Sequence, residues 1–253
     1  MRSKIKNRVG EIHTNSTGEN FTIIKYRGNK DLDVQFEDGT IVKNKGYRHV
    51  TKKSIKNPNV PNVYGVGYMG KGKYLGSIEG KSTKECSIWR SILARCYDKY
   101  TQKKHPSYIG CSVDERWHNF QNFAKWYEEN YNPNLMEGWH IDKDILIKGN
   151  RIYSDKNCCF IPKELNHLFK KRINQGNSLP TGVHKNREKF VASFSRGKGF
   201  PEYIGTFNTP EEAFQAYKIA KETYIKELAH EWRPLIGERI YNIIYHYKIE
   251  ITD

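Results

Sequence analysis

Residues 138–172 read GWHIDKDILIKGNRIYSDKNCCFIPKELNHLFKKR. The stretch opens as a strand or hairpin holding His140, Asp142, Lys143 and Asp144, loops through Gly149-Asn150, and ends in a basic helix after Pro162. A ββα unit of this shape suits one hard divalent ion, because a carboxylate from the hairpin and an amide or imidazole from the helix can meet at a single point. In an extended segment His140 shares a face with Asp142, two residues on, and Asp144 is expected on that face too.

Outside this unit the dominant signal is charge. The 253 residues carry 43 Lys+Arg against 28 Asp+Glu, a formal net charge of +15. A positive field of that size favours a polyanionic partner, with nucleic acid ahead of an anionic membrane; the plainer alternative is a merely basic protein. No run approaches the ~18 apolar residues of a spanning helix, and the start, MRSKIKNRVGEIH, lacks the apolar core of a signal peptide. Cys86, Cys96, Cys111, Cys158 and Cys159 form no CxxC pair. Free thiols in a reducing cytoplasm are therefore expected, without disulfides or structural zinc. The 17 Tyr can fill small cores or stack on bases.

Upstream, residues 8–56 read as short strands (RVGEIH, NFTIIKYRG, LDVQFEDG, TIVKN), with Leu32, Val34 and Phe36 alternating and Asp38-Gly39 as a hairpin signal. This small β module resembles SH3-like barrels. Residues 57–85 are crowded with glycine, and are either a flexible linker or a basic, Tyr-interleaved arm (Tyr64, Tyr68, Lys71, Lys73, Tyr74) that orders along a nucleic-acid backbone. From Cys86 the period becomes helical: Ile88, Trp89, Ile92, Leu93 and Cys96 form one stripe. Trp117, Phe120, Phe123, Ala124 and Tyr127 form a second after a cap at Asp114. Trp89, Trp117 and Trp126 are expected in the core.

Residues 157–166, NCCFIPKELN, match the spacing N-L-E-W-V-T-x-x-E-N. With IWRSILARCY (88–97) and YIGCSVDERWHNFQNFAKW (108–126) upstream, residues 86–172 resemble the phage and homing branch of the HNH endonucleases. The resemblance implies a ββα domain that hydrolyses DNA with a divalent metal such as Mg2+, in the cytoplasm of a bacterial host cell. Asp142 maps to the metal-binding Asp and Asn166 to the last metal ligand, with Asp144 close by; Asn157 maps to the residue that braces the loop. The family pairs its Asp with a general-base His, where this chain has Lys143. A lysine must lose its proton to act as a base, so His140 is the better substitute.

The C-terminal part reads as strands TGVHK, KFVASFS and EYIGTF before a helix with Thr209 as N-cap, Pro210 at N1 and Glu212 completing a capping box. Ala213, Phe214, Ala216, Tyr217, Ala220 and Tyr224 form its apolar stripe. TGV (181–183), F.A.F (190–194), IGTF (204–207) and the EEA..AY..A run closely resemble the AP2-type DNA-binding domain. That resemblance implies a three-stranded sheet entering the major groove. The DNA-facing positions then fall on Thr181, His184, Arg187, Lys189, Ser193, Ser195 and Tyr203, with Arg196 and Lys198 as phosphate contacts in the hairpin turn. Alternation puts Phe190, Ala192 and Phe194 inward, and Lys189, Val191, Ser193 and Ser195 outward.

The sequence thus predicts an α+β, multi-domain chain: a β module (1–56), a linker or arm (57–85), an HNH-like domain (86–172), a linker (173–178), and an AP2-like domain with a tail (179–253). The function expected is metal-dependent cleavage of duplex DNA. The alternative is a DNA-binding regulatory protein descended from such nucleases, favoured by the missing Asp-His pair. RNA binding through the Tyr-rich arm is a third reading, and no membrane partner is expected.

Overall fold

A computed structural model describes residues 7–169, 179–196 and 201–251. The fold is mixed α+β in two units, one running to Ile109 and taking in Glu115–Lys125, the other comprising Gly110–Asp114 and the chain from Trp126 onward. This partition cuts the stretch 86–172, which the sequence suggests as one domain. Among the described residues no helix is long and apolar enough to cross a membrane.

In the first unit, β1 (Ile12–Thr14), β2 (Asn20–Gly28), β3 (Asp31–Phe36) and β4 (Ile41–Lys45) form an antiparallel sheet in sequence order. The β3–β4 turn falls at Asp38-Gly39, where Gly39 has φ 79° and the Asp38 carboxylate accepts the Thr40 N–H at 2.8 Å. Leu32, Val34 and Phe36 alternate into a core with Phe21 and Ile23, closed by Val50 of helix α1 (Tyr47–Thr51) and by Ile55. Asp33 breaks the alternation: it is buried, and Arg27 Nη2 donates to its Oδ1 at 2.6 Å. That bond holds the Asp33 carboxyl down at about 2.

Within residues 57–85, read above as linker or arm, Asn57, Val63 and Gly67 are buried, whereas most of 71–82 is exposed. A two-residue hairpin, β5 (Ser77–Ile78) with β6 (Lys81–Ser82), leads into α2 (Lys84–Tyr97) and α3 (Lys99–Lys104). Gly67 lies against α2 so closely that a Cβ would meet Leu93 Cδ1 at 2.4 Å. A Cβ on Gly70 would meet Asn119 Oδ1 at 2.1 Å, and one on Gly72 would meet Gln121 Oε1 at 2.2 Å. Gln121 Nε2 donates to the Met69 and Tyr74 carbonyls at 3.1 and 3.0 Å, doing with a side chain what a strand partner does with backbone. Gly67, Gly70 and Gly72 serve close approach, whereas Gly65 and Gly80 serve turns with positive φ.

The second aromatic stripe is also broken where the sequence suggests one helix capped at Asp114. Trp117 sits in a 3-10 turn (Glu115–His118), and α4 starts at Phe120. The reason is backbone pairing: the Tyr68 N–H donates to His118 O and the Phe120 N–H to Tyr68 O, both at 2.9 Å, so a glycine-rich segment bridges to the chain at the break. Trp89 is fully buried, with its ring centroid 5.4 Å from that of Phe120 and its Nε1 donating to Trp117 O at 2.7 Å.

In the second unit β7 (Ser112–Val113) runs parallel to β9 (Ile152–Tyr153), and β8 (His140–Asp142) pairs antiparallel with β10 (Cys159–Ile161) ahead of α5 (Lys163–Leu168). Phe160 is wedged among Trp126, Tyr127 and Tyr131. β11 (Val183–Asn186), β12 (Lys189–Phe194) and β13 (Glu202–Phe207) form an antiparallel sheet covered by α6 (Pro210–Tyr245). Thr209 Oγ1 accepts the Glu212 N–H at 3.2 Å while the Glu212 carboxylate accepts the Thr209 N–H at 3.3 Å, closing the expected capping box. Gly182 of the TGV run has φ 79°, and a Cβ there would fall 2.0 Å from the Tyr217 ring. At Gly237 (φ 74°) α6 kinks. The segment after it is fastened down: Glu222 accepts the Ile249 N–H at 2.9 Å, Lys148 Nζ donates to Lys248 O at 3.0 Å, and Phe169 packs edge-on to Tyr247.

Candidate metal centre and nucleic-acid face

Strand β8 presents His140 and Asp142 on one face while Ile141 between them is buried. Register places His140 opposite Ile161 and Asp142 opposite Cys159, so Pro162 and α5 follow directly beside His140. Asn166, one turn into α5, sets its amide nitrogen 3.3 Å from His140 Nδ1. An amide nitrogen only donates, so Nδ1 is the acceptor and the neutral ring carries its proton on Nε2.

Asp142 Oδ1 accepts the N–H groups of Asp144 and Ile145 at 2.9 and 2.8 Å. The chain therefore turns immediately after Asp142, and Asp144 does not continue the strand face as extended geometry suggests. Burial pushes the Asp142 carboxyl up to about 6, and the charge of Asp144 adds to the shift. Lys143, at the position of the family's base, is occupied otherwise: its Nζ donates to Asn150 O at 3.1 Å and pairs with the Asp144 carboxylate at 3.1 Å. Both contacts tie the Lys143 ammonium into the loop itself.

Asn157 is hydrogen-bonded into the same loop. Its Nδ2 donates to Asn150 Oδ1 at 3.2 Å, and Asn150 Nδ2 in turn donates to the Lys143 and Ile152 carbonyls at 2.6 and 2.8 Å. Asn150 is the residue that sequence reasoning passed over. Its signal was present in Gly149-Asn150, since Gly149 has φ 80° and delivers the following amide back into the loop.

Among the described residues no three His, Cys, Asp or Glu side chains gather as a metal group. What the unit offers is the carboxylates of Asp142 and Asp144 with the amide oxygen of Asn166. These are hard oxygen donors of the kind Mg2+ takes, and burial together with the charge of Asp144 raises the cost of ionising Asp142, a condition a divalent cation relieves. By donor type alone the set suits such an ion. All five cysteines are buried free thiols, and burial raises Cys158 to about 12.

On the C-terminal sheet, Ser193 pairs with Tyr203 and Val191 with Thr206 and His184. Ile204 is an extra residue between the Ala192–Gly205 and Ser193–Tyr203 pairs, and this bulge turns Tyr203 onto the same face as Thr206. The Tyr203 hydroxyl is 2.9 Å from Thr206 Oγ1, and Tyr203 is 67% exposed. His184 and Lys189 are exposed on this face, with Lys189 Nζ bonded to Asn208 Oδ1. Arg187 turns the β11–β12 hairpin with φ 55°. Thr181, Ser193 and Ser195 are half-buried, and Val191, expected outward and open, is buried. Arg196, expected as a phosphate contact, pairs instead with Glu202 at 2.9 Å and lies over the Tyr224 ring, closing the hairpin onto α6. Lys198 lies outside the described residues. Lys71 and Lys73 of the first unit are exposed, Lys73 over the Tyr74 ring. Thr206 is the further face residue that the pattern concealed, since plain alternation opposes it to Tyr203. No family model matches the chain, and no curated protein or solved structure is detectably similar to it.

Proposed function

We propose that this chain binds duplex DNA and hydrolyses it with a divalent cation, as the HNH resemblance implies. The observation that carries the reading is the contact between Asn166 and His140, which brings two residues 26 positions apart in the chain onto the side of the ββα unit that holds Asp142. Asp142, Asp144 and Asn166 would hold the ion, Mg2+ for preference; bound there it would neutralise charge on a scissile phosphate and acidify a bound water. His140 presents Nε2–H as a donor to a phosphate or leaving oxygen. For His140 to act as the base its proton must sit on Nδ1, and the Asn166 amide would then turn its oxygen to accept that N–H, leaving Asp142 and Asp144 to hold the ion. Asn157 and Asn150 hold the loop that carries these groups.

The three-stranded sheet, its capped helix and the open row of His184, Lys189 and Tyr203 support an AP2-like reader that seats the chain on the duplex. The four-stranded N-terminal sheet is compatible with the SH3-like module.

A specific observation favours a second reading, a DNA-binding protein without cleavage: Lys143 stands ion-paired where the family carries its base. One experiment separates the two. End-labelled duplex is incubated with Mg2+ or Mn2+ and either the wild type or Asp142→Ala. Cleavage lost in the variant with affinity kept supports the nuclease; a wild type that binds and leaves the duplex whole supports the second reading.

A further inference from the structure

Between Asp38 and Glu79 the chain has no carboxylate side chain, and Lys43, Lys45, Arg48, Lys52, Lys53 and Lys56 crowd the first part of that stretch. The carboxylates nearest in the sheet are already committed. Arg27 binds Asp31 and Asp33 at 2.6 Å each, and Asp38 accepts from Thr40 and Asn57. Lys43, Arg48, Lys52, Lys53 and Lys56 are exposed, and none has an ion-pair partner among the described residues. Their field is therefore not cancelled from within the unit.

These cations stand on a rigid base. Val50 and Ile55 are 3% and 1% exposed in the sheet core, on either side of Lys52 and Lys53. Lys53 ends α1 with φ 52°, its N–H donating to Val50 O at 2.9 Å. Such a position favours glycine, and a lysine there keeps a charge at the expense of backbone ease. No large apolar side chain is exposed between Lys43 and Lys56, so the surface has nothing to insert into lipid. Tyr47, the one aromatic ring among them apart from His49, is half-buried beneath the Arg8 guanidinium at 3.9 Å, which leaves no stacking platform for single-stranded bases.

We infer that the N-terminal sheet unit carries a second DNA surface, on which Lys43, Arg48, Lys52, Lys53 and Lys56 contact the phosphate backbone of a duplex without reading its bases. The inference rests on the DNA-binding reading above and adds to it a partner-facing role for a module outside both recognition elements. Linked in one chain, two modest contacts raise overall affinity through effective concentration.

The test uses the full chain, a short mixed-sequence duplex, and two variants: Lys53→Gly alone and Lys52→Gln/Lys53→Gly/Lys56→Gln together. Affinity is measured from about 50 to about 200 mM salt, with thermal melts alongside. Each lost phosphate contact flattens the slope of log affinity against log salt by about 0.9, so the triple variant should lose up to about 3 and bind at least about tenfold more weakly near 0.1 M salt. Lys53→Gly relieves the backbone and should melt no lower than the wild type while losing its share of the slope, which keeps the test independent of folding. An unchanged slope in both variants, with wild-type affinity intact, overturns this surface alone. So does a loss confined to double-stranded RNA or to phosphatidylserine vesicles. A wild type that binds no duplex at about 50 mM salt overturns the DNA reading itself, and this surface with it.

Discussion

Across the ββα unit the Asn166 amide nitrogen stands 3.3 Å from His140 Nδ1 and selects the tautomer with its proton on Nε2. Nitrogen-15 chemical shifts of the imidazole should report that tautomer as dominant in the neutral ring. Asn166→Ala removes the donor and should return the ring toward a mixture. A ring already mixed in the wild type would contradict the contact.

The pH dependence of stability follows from Asp142. Its carboxyl lies at about 6, raised by burial first and by Asp144 second, against an ordinary value of 3.8. Between those values the folded chain holds a proton that the unfolded chain releases, so this group's contribution falls as pH rises from about 4 to about 6 and stays lost above. Asp142→Asn should therefore melt higher than the wild type at pH 7 and level with it at pH 4. Mg2+ should raise the wild-type melting temperature at pH 7 and leave that of the variant unmoved. Parallel melting curves at both pH values would sink the assignment.

Register on the C-terminal sheet is tested by two aromatic residues. Phe194 is 7% exposed with its ring 5.8 Å from Tyr224, and Tyr203 lies open beside Thr206. Phe194→Ala should cost about 3 kcal/mol, while Tyr203→Ala should leave the melt within about 0.5 kcal/mol and weaken DNA binding. The reverse order of stabilities would mean that the recognition face and the core are exchanged.

Gly67→Ala distinguishes a packed segment from a loose one. The added methyl would meet Leu93 and Trp89 at 2.4 and 2.9 Å, and overpacking of that kind costs about 1–3 kcal/mol. In a flexible arm the same change would be neutral or slightly stabilising. Chemical denaturation of the full chain decides between them.

The β strands, the α2 stripe and the capped start of α6 were legible because each is a local pattern: alternation at Leu32, Val34 and Phe36, helical spacing at Trp89, Ile92, Leu93 and Cys96, and Thr209 three residues before Glu212. Glycines misled, because composition cannot tell a glycine needed for close approach, such as Gly67, from one in a linker. The break before Phe120 was hidden for a related reason, since its cause is a backbone bridge to Tyr68, far upstream in the chain. At the candidate centre, the HNH resemblance singled out Asp142 and Asn166, and strand alternation added His140. It could not show that Asp142 caps its own loop, that Lys143 is held by Asp144, or that a bulge at Ile204 turns Tyr203 toward Thr206. Those depend on tertiary geometry, and a one-residue irregularity reverses a face that alternation assigns.

Conversion of supercoiled plasmid to nicked or linear forms directly measures the metal-dependent cleavage proposed for the ββα unit. The wild type should convert plasmid in Mg2+ or Mn2+ and not in excess chelator, and Asp142→Ala and Asn166→Ala should lose at least about a hundredfold with duplex affinity kept. Intact plasmid under every divalent cation, or equal cleavage by wild type and Asp142→Ala, would contradict it.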